Sequence, residues 1–370
     1  MTERLSCFGE KRFGFGMMRL PMIEKDGQKQ VDTEQVCRMT DLFLTAGFRY
    51  FDTAHGYLHG MSEKAVRDCV ATRYPRSSFL LTNKLSAPFF KSREDIRPLF
   101  DRQLKACGVD YFDLYLMHSL VKENYPHFKA CRAFETALRL KEEGLIRHLG
   151  FSFHDSPEML DEILTEYPET ETVQIQLNYL DSEDEQVQGM KAYEVCRKHG
   201  KPVIVMEPVK GGRLVDLPSN AAELLDAKGQ SRAGFALRYA AGFDNVSMIL
   251  SGMSDLSQMK DNIRTMARPK PLNKEEQETL HQVTAILRGE GTIACTDCEY
   301  CLSECPKHIP IPTIFSYMNE RLRDESAVPP ALDATQGNPK DCIACRKCEK
   351  VCPQHLPIPL LMKRAQSASI

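Results

Sequence analysis

From about residue 13 to residue 267, short and almost wholly apolar runs alternate with longer stretches whose apolar residues recur every three or four positions. The apolar runs predict strands at 13–17, 50–53, 79–82, 112–117, 146–151, 173–177, 203–206 and 247–250. The amphipathic stretches predict helices at 34–46, 62–72, 93–107, 131–143, 157–166, 185–199, 232–241 and 256–266. Strands with no polar face, divided by helices, predict a parallel sheet covered on both sides. Eight such units in about 255 residues predict a (β/α)8 TIM barrel. A doubly wound sheet is the competitor, and it would carry a glycine fingerprint after its first strand. The run Gly14-Phe15-Gly16-Met17-Met18-Arg19 does not complete GxGxxG, so the barrel is preferred.

The texture changes after Pro269 and Pro271. Asn273 is placed to cap a helix reaching about Arg288, with glycines at 289 and 291 to end it. Further on, Cys305-Pro-Lys-His-Ile-Pro-Ile-Pro312 returns 47 residues later as Cys352-Pro-Gln-His-Leu-Pro-Ile-Pro359. The repeat predicts two pseudo-equivalent halves sharing one small core, with a helix at 313–324 and a loop at 327–338 between them. The expected organisation is a barrel over 1–270, a linker helix over 271–290 and a small, mainly helical domain over 291–370.

Composition sharpens this division. Eight of the 14 cysteines fall between Cys295 and Cys352. The other six (Cys7, Cys37, Cys69, Cys107, Cys131 and Cys196) have no ligand spacing and read as core residues. No apolar leader follows Met1 and no run is long enough for a membrane span, so a soluble, cytoplasmic protein is expected. A net charge of −3 gives no reason to expect nucleic acid or a membrane as partner. Cys295, Cys298, Cys301 and Cys305 are followed by Pro306, and Cys342, Cys345, Cys348 and Cys352 by Pro353. Each set is the C-x2-C-x2-C-x3-C-P run of cubane iron–sulfur ligation. Zinc knuckles pair two CxxC units over a longer gap and have no use for a third cysteine at this spacing. Three thiolates of one tight loop grip one cube, and the fourth sits too far round to close it. One [4Fe-4S] cluster is therefore expected on Cys295, Cys298, Cys301 and Cys352, and a second on Cys342, Cys345, Cys348 and Cys305. Residues 290–360 resemble bacterial-type dicluster ferredoxins, and the long segment between the halves resembles the helical dicluster modules of respiratory reductases. His308 and His355 read as packing or capping residues.

The barrel carries its own chemistry. Asp52, Lys84 and His118 stand at the ends of the second, third and fourth strands, and Tyr57 in the loop after the second. All four are expected at the C-terminal mouth, where barrel active sites lie. Reducing a carbonyl by hydride leaves an alkoxide that needs a proton. A tyrosine with a reference pKa of about 10 can supply it if a neighbouring cation favours tyrosinate. Lys84 would be that cation, Asp52 would hold it, and His118 would orient the carbonyl oxygen.

On these residues, positions 13–267 resemble the aldo-keto reductases, whose Asp–Tyr–Lys–His tetrad maps onto Asp52, Tyr57, Lys84 and His118. The resemblance implies NADPH or NADH extended across the mouth. It places nicotinamide contacts at Ser152 and Gln174, with Met206 where the family commonly stacks an aromatic. Pyrophosphate contacts would come from Lys210 and Gly211, and adenine-side contacts from Gly252, Ser254, Gln258 and Asn262. Phe153 replaces the usual Asn after the serine, and Gln258 stands where an Arg often holds a 2′-phosphate. Phe89, Phe90 and Phe153 suggest a partly apolar pocket for a small carbonyl or alcohol. The reading is an NAD(P)H-linked oxidoreductase whose clusters exchange electrons with a ferredoxin or flavoprotein. Its alternative is an electron-transfer or redox-sensing protein that keeps a degenerate barrel as scaffold. A purely structural tail ranks below both.

Overall fold

The computed structural model describes residues 8, 9 and 11–367. Cys7 lies outside the described residues. Its strands are β1 (Phe13–Gly16), β2 (Met22–Lys25), β3 (Gln28–Val31), β4 (Tyr50–Asp52) and β5 (Leu80–Leu85). They continue with β6 (Phe112–Leu120), β7 (Ile146–Phe153), β8 (Thr172–Gln176), β9 (Val203–Met206) and β10 (Val246–Gly252). Strands β1 and β4 to β10 close a barrel in the order β1-β10-β9-β8-β7-β6-β5-β4. Every neighbouring pair is parallel. The expected TIM barrel is thus the observed fold.

Side chains alternate across a strand, and that alternation sorts the barrel's residues. Tyr50, Leu80, Leu114, Leu116, Ile204, Met248 and Leu250 form one buried cluster with Phe8. Their strand neighbours Phe51, Leu81, Tyr115, Met117, Val205 and Ile249 join a larger cluster with the helices. Phe43, on helix Thr33–Thr45, packs its ring 5.3 Å from Phe48 and 5.4 Å from Phe51. Burying a phenylalanine in this way contributes about 1.5–3 kcal/mol. Gly14 belongs to the inner set, where a Cβ would come within 2.7 Å of both Leu250 and Tyr50. Glycine there makes room for the tyrosine.

Several elements depart from the expectation. β2 and β3 form an exposed antiparallel hairpin turning on Asp26-Gly27, both at positive φ. Its strands are largely polar, so no apolar run announced them. The helix expected at 62–72 is Met61–Val66 running into a π turn at Arg67–Ala71. The one expected from 185 starts at Gly189, because the Asp184 carboxylate holds a turn by accepting from the Gln186 and Val187 amides. Helices Tyr125–Ala130 and Ser219–Asp226 were not expected. Four of the isolated cysteines, Cys69, Cys107, Cys131 and Cys196, are buried, and Cys37 is half-buried with its thiol against that of Cys69.

The chain divides into two compact units. One holds the chain to Glu183, Gln188–Pro208 and Ala233–Leu272; the other holds Asp184–Val187, Val209–Arg232 and the chain from Asn273. The loop after β9 therefore belongs to the second unit. There, helix Lys274–Gly289 starts from a capping box made by Asn273 and Glu276. The 47-residue repeat is present in the backbone. Positive φ occurs at Asp297, Glu299 and His308, and again at Ala344, Arg346 and His355. Short helices Tyr300–Glu304 and Lys347–Lys350 correspond, as do Ile311–Arg323 and Ile358–Ser367 after each Pro-Ile-Pro run. Ile293, Ile309, Ile311, Ile314, Phe315, Ile358 and Met362 share one core with Cys301 and Cys348. A small, mainly helical module is what the sequence led one to expect. Among the described residues, no helix is long and apolar enough to cross a membrane.

Candidate active site and cluster sites

Asp52, Lys84 and His118 have the same strand parity as Tyr50, Leu80 and Leu114, and they continue the inner set towards the C-terminal ends. The Lys84 ammonium, fully buried, donates to Asp52 Oδ1 at 2.5 Å and to the Thr53 carbonyl at 2.8 Å. Its Nζ lies 4.7 Å from the Tyr57 ring centre, and the His118 ring meets the Tyr57 ring edge-on at 5.7 Å. The four side chains singled out in the sequence are thus in one place. Burial raises the Asp52 carboxyl and lowers the Lys84 ammonium, and each charge opposes the shift of the other. His118 is pushed well below the usual imidazole value, first by burial and then by the Lys84 charge.

Neighbouring residues fix these positions. Ser86 Oγ lies 2.6 Å from His118 Nδ1; with Ser86 donating, Nε2 carries the ring proton. Thr53 and Ser62 share a hydrogen bond of 2.7 Å, and Ser62 also donates to the Met17 carbonyl. Buried Glu63 binds His55 Nδ1 at 2.8 Å and accepts from Asn83 Nδ2 at 2.8 Å. The Asn83 Oδ1 then accepts from Gln103, whose Oε1 accepts from the Tyr115 hydroxyl. Sequence reasoning named none of Ser86, Glu63 or Gln103. Their signal was faint, since each becomes a partner only after strands and helices are brought together.

The residues expected to hold a nucleotide are divided between the units. In the first, Gln174 Nε2 donates to Met206 Sδ at 3.5 Å, while its buried Oε1 has no hydrogen-bond partner among the described residues. A primary carboxamide would satisfy that oxygen, so the residues fit a nicotinamide. Ser152 Oγ accepts from the Ser119 amide at 2.7 Å. Gln258 Oε1 accepts from the Ser254 amide, and Asn262 donates to Ser251 Oγ. Arg19, unremarked in the sequence beyond its place in the glycine run, packs against Gly252, where a Cβ would meet its side chain at 3.2 Å. It pairs with Glu207 at 3.8 Å, and the Ser254 hydroxyl donates to its carbonyl. A cation is therefore present beside Gly252 although the 252–262 helix region offers none at Gln258.

In the second unit, buried Lys210 donates to Gln354 Oε1 at 2.9 Å, two residues beyond Cys352. Gly211 follows at positive φ. Arg213 donates to the Ile293 carbonyl and to Thr292, and its charge counteracts the burial that pushes the Cys295 thiol up to about 11. Burial also raises the Cys301 thiol and pushes that of Cys348 up to about 11, and neighbouring cysteines add to both shifts. A small pocket, partly open to solvent, is lined by Cys305, Cys342, Cys345 and Cys348 together. Asp297 and Glu299, on either side of Cys298, are both left-handed in the first cysteine loop. Among the described residues no three or more His, Cys, Asp or Glu converge as the ligands of a single metal ion would. Cys305, Cys342, Cys345 and Cys348 instead share the wall of one pocket, a donor set that fits a cluster rather than a single ion.

Comparison with known proteins assigns both parts. Residues 12–285 match the model of the Aldo/keto reductase family. The chain belongs to the aldo/keto reductase family. Residues 294–356 of this reductase match a 4Fe-4S dicluster domain. Among curated relatives, an L-galactose dehydrogenase of Arabidopsis thaliana is 25% identical over 268 residues, covering 65% of this chain and 80% of its own. An aldo-keto reductase of Mycolicibacterium vanbaalenii is 30% identical over 226 residues, covering 60% of this chain and 74% of its own. Of solved structures, the holo form of an aldo-keto reductase from Bacillus halodurans superposes with a TM-score of 0.59 and 24% identity, over 74% of this chain and 91% of that one. An aldo-keto reductase from Klebsiella pneumoniae in complex with NADPH gives 0.60 and 21%, over 74% and 90%. At these identities the two structures speak for the shared barrel fold of the reductase.

Proposed function

We propose that the barrel interconverts a carbonyl and an alcohol with NADPH or NADH, and that two [4Fe-4S] clusters exchange single electrons with a redox partner. The observation that carries this reading is the Lys84 ammonium between the Asp52 carboxylate and the Tyr57 ring, with His118 against the same ring. A bound dihydronicotinamide would supply the hydride. Tyr57 donates its hydroxyl proton to the carbonyl oxygen as charge develops there, and the Lys84 ammonium stabilises the tyrosinate that remains. Asp52 keeps Lys84 charged despite burial. His118 Nε2–H donates a hydrogen bond to the same oxygen. Gln174 and Ser152 would hold the carboxamide, and Met206 would pack on the ring. Gly252, Ser254, Gln258 and Asn262 would border the adenosine. The clusters supply one-electron chemistry when bound: one on Cys295, Cys298, Cys301 and Cys352, the other on Cys342, Cys345, Cys348 and Cys305.

The test is anaerobic. The full chain is titrated with NADPH and with NADH by fluorescence, then challenged with a panel of aldehydes and ketones. Saturable binding and carbonyl-dependent oxidation of at least one nucleotide are expected. Failure of both nucleotides to bind sinks the proposal. That failure would favour the second reading, in which the barrel is a scaffold for an electron-transfer or sensing module. Two observations support the second reading: Ser152 Oγ already accepts from Ser119, and Lys210 is engaged by Gln354.

A pH prediction follows from the lowered imidazole value of His118. The ring stays neutral in the neutral and mildly acid range, gaining a proton only well below the usual imidazole value. The His118→Gln variant keeps a hydrogen-bond donor but cannot be protonated. It should turn over more slowly than the parent with the same shape of pH profile between about pH 6 and 8. An acid limb present in the parent and missing in the variant would show that the imidazole titrates in that range.

A further inference from the structure

The two copies of the cysteine repeat share spacing and backbone, yet they differ in sign. From Cys295 to Cys305 the chain carries Asp297, Glu299 and Glu304 and no basic residue, a charge of −3. From Cys342 to Cys352 it carries Arg346, Lys347 and Lys350 against Glu349 alone, a charge of +2. Exposure differs as well. Cys345 is exposed, whereas its counterpart Cys298 is half-buried. The pocket of the second cysteine set is rimmed by Arg346 and Lys307, with Glu304 as its one acid. Ile343, 59% exposed, lines the same pocket. Lys340, Lys347 and Lys350 are exposed close by in sequence. An exposed apolar centre with a charged rim is the anatomy of a transient protein interface.

We infer that this face, around Cys345, is where an acidic one-electron carrier protein docks. The reasoning is electrostatic. The chain as a whole carries −3, so a carrier with many acidic residues is weakly repelled overall. Only a local cationic rim can orient it, and the second cysteine loop provides one while the first presents acids. Such steering acts mainly on the association rate and is screened within about 10 Å at 0.1 M salt. Cys342, Cys345, Cys348 and Cys305 would hold the group that, when bound, would take up the one electron the reduced carrier gives up. Nothing else is transferred. The inference rests on the proposed reading only in requiring that the cysteines hold their clusters; nucleotide-dependent carbonyl turnover is scored separately.

The experiment uses the full chain with reconstituted clusters and a reduced, strongly acidic bacterial-type ferredoxin as probe, mixed anaerobically by stopped flow. The second-order rate should fall steeply with added salt. The combined variant Arg346→Glu, Lys347→Glu, Lys350→Glu should lower it about tenfold or more at low salt and flatten the salt dependence. Its iron content, its reduction by dithionite and its carbonyl turnover should match the parent. Asp297→Lys with Glu299→Lys, on the other loop, should leave the rate equal or higher. An unchanged rate in the triple variant, or loss of rate in the first-loop variant alone, overturns the assignment. If the triple variant loses iron, the parent's salt profile decides: a falling rate supports the face, and a flat or rising one overturns it. Equal salt dependence with a basic carrier, cytochrome c, also overturns it.

Discussion

Tyr57→Phe is expected to lower kcat for carbonyl reduction by about 10²–10⁴-fold, with nucleotide affinity changed little. The magnitude is that of removing a positioned general acid from a step that cannot finish without a proton. The variant is informative because the ring makes the packing contacts and the hydroxyl supplies the chemistry. The ring lies against Lys84 Nζ and the His118 imidazole, and phenylalanine retains both contacts. The Asp52–Lys84 pair is untouched, so no buried charge loses its partner. Single-turnover kinetics and nucleotide titration read the two effects apart. Full turnover in this variant would remove Tyr57 from the proton-transfer role and leave the alkoxide to be protonated by another group.

The second large effect concerns the crossing of Cys305 and Cys352. Serine at Cys305 should strip iron from the cysteine set of the opposite repeat, so that iron falls from about eight to about four atoms per chain. The pocket walls join Cys305 to Cys342, Cys345 and Cys348. The remaining EPR signal of Cys305→Ser should therefore match that of Cys345→Ser. Likewise Cys352→Ser should match Cys298→Ser. A Cys305→Ser spectrum that instead matches Cys298→Ser would mean that each repeat closes its own cube. Because thiolate–metal bonds contribute directly to the folding of small modules, each variant should also lower the melting temperature of the module.

Much of this could be read from the chain because its strongest signals are local. Apolar runs bounded by helices specify a barrel wherever they fall, and CxxCxxCxxxCP encodes a loop geometry in twelve residues. Asp52, Tyr57, Lys84 and His118 stood out because three of them lie at the ends of consecutive apolar strands. What stayed hidden depends on contacts between distant segments. Arg19 meets Gly252 only because β1 pairs with β10. Gln354 meets Lys210 only because the loop after β9 packs with the cysteine module, a distance of 144 residues in the chain. The hairpin β2–β3 was silent for another reason. Its strands bury little, so hydrophobic periodicity had nothing to report, and only Asp26-Gly27 marked the turn.

Barrel filling and barrel chemistry draw on the same alternate residues, and this limits how the strands can change length. Two residues inserted into β5 would keep an inward ammonium while lifting it one step along the axis. One residue would turn Lys84 out among the helices and bring Asn83 inward, leaving Asp52 buried without its cation. Such a frame counts in twos. Loops beyond the strand ends are under no such rule, whereas the strand segments that carry the site can lengthen or shorten only in pairs.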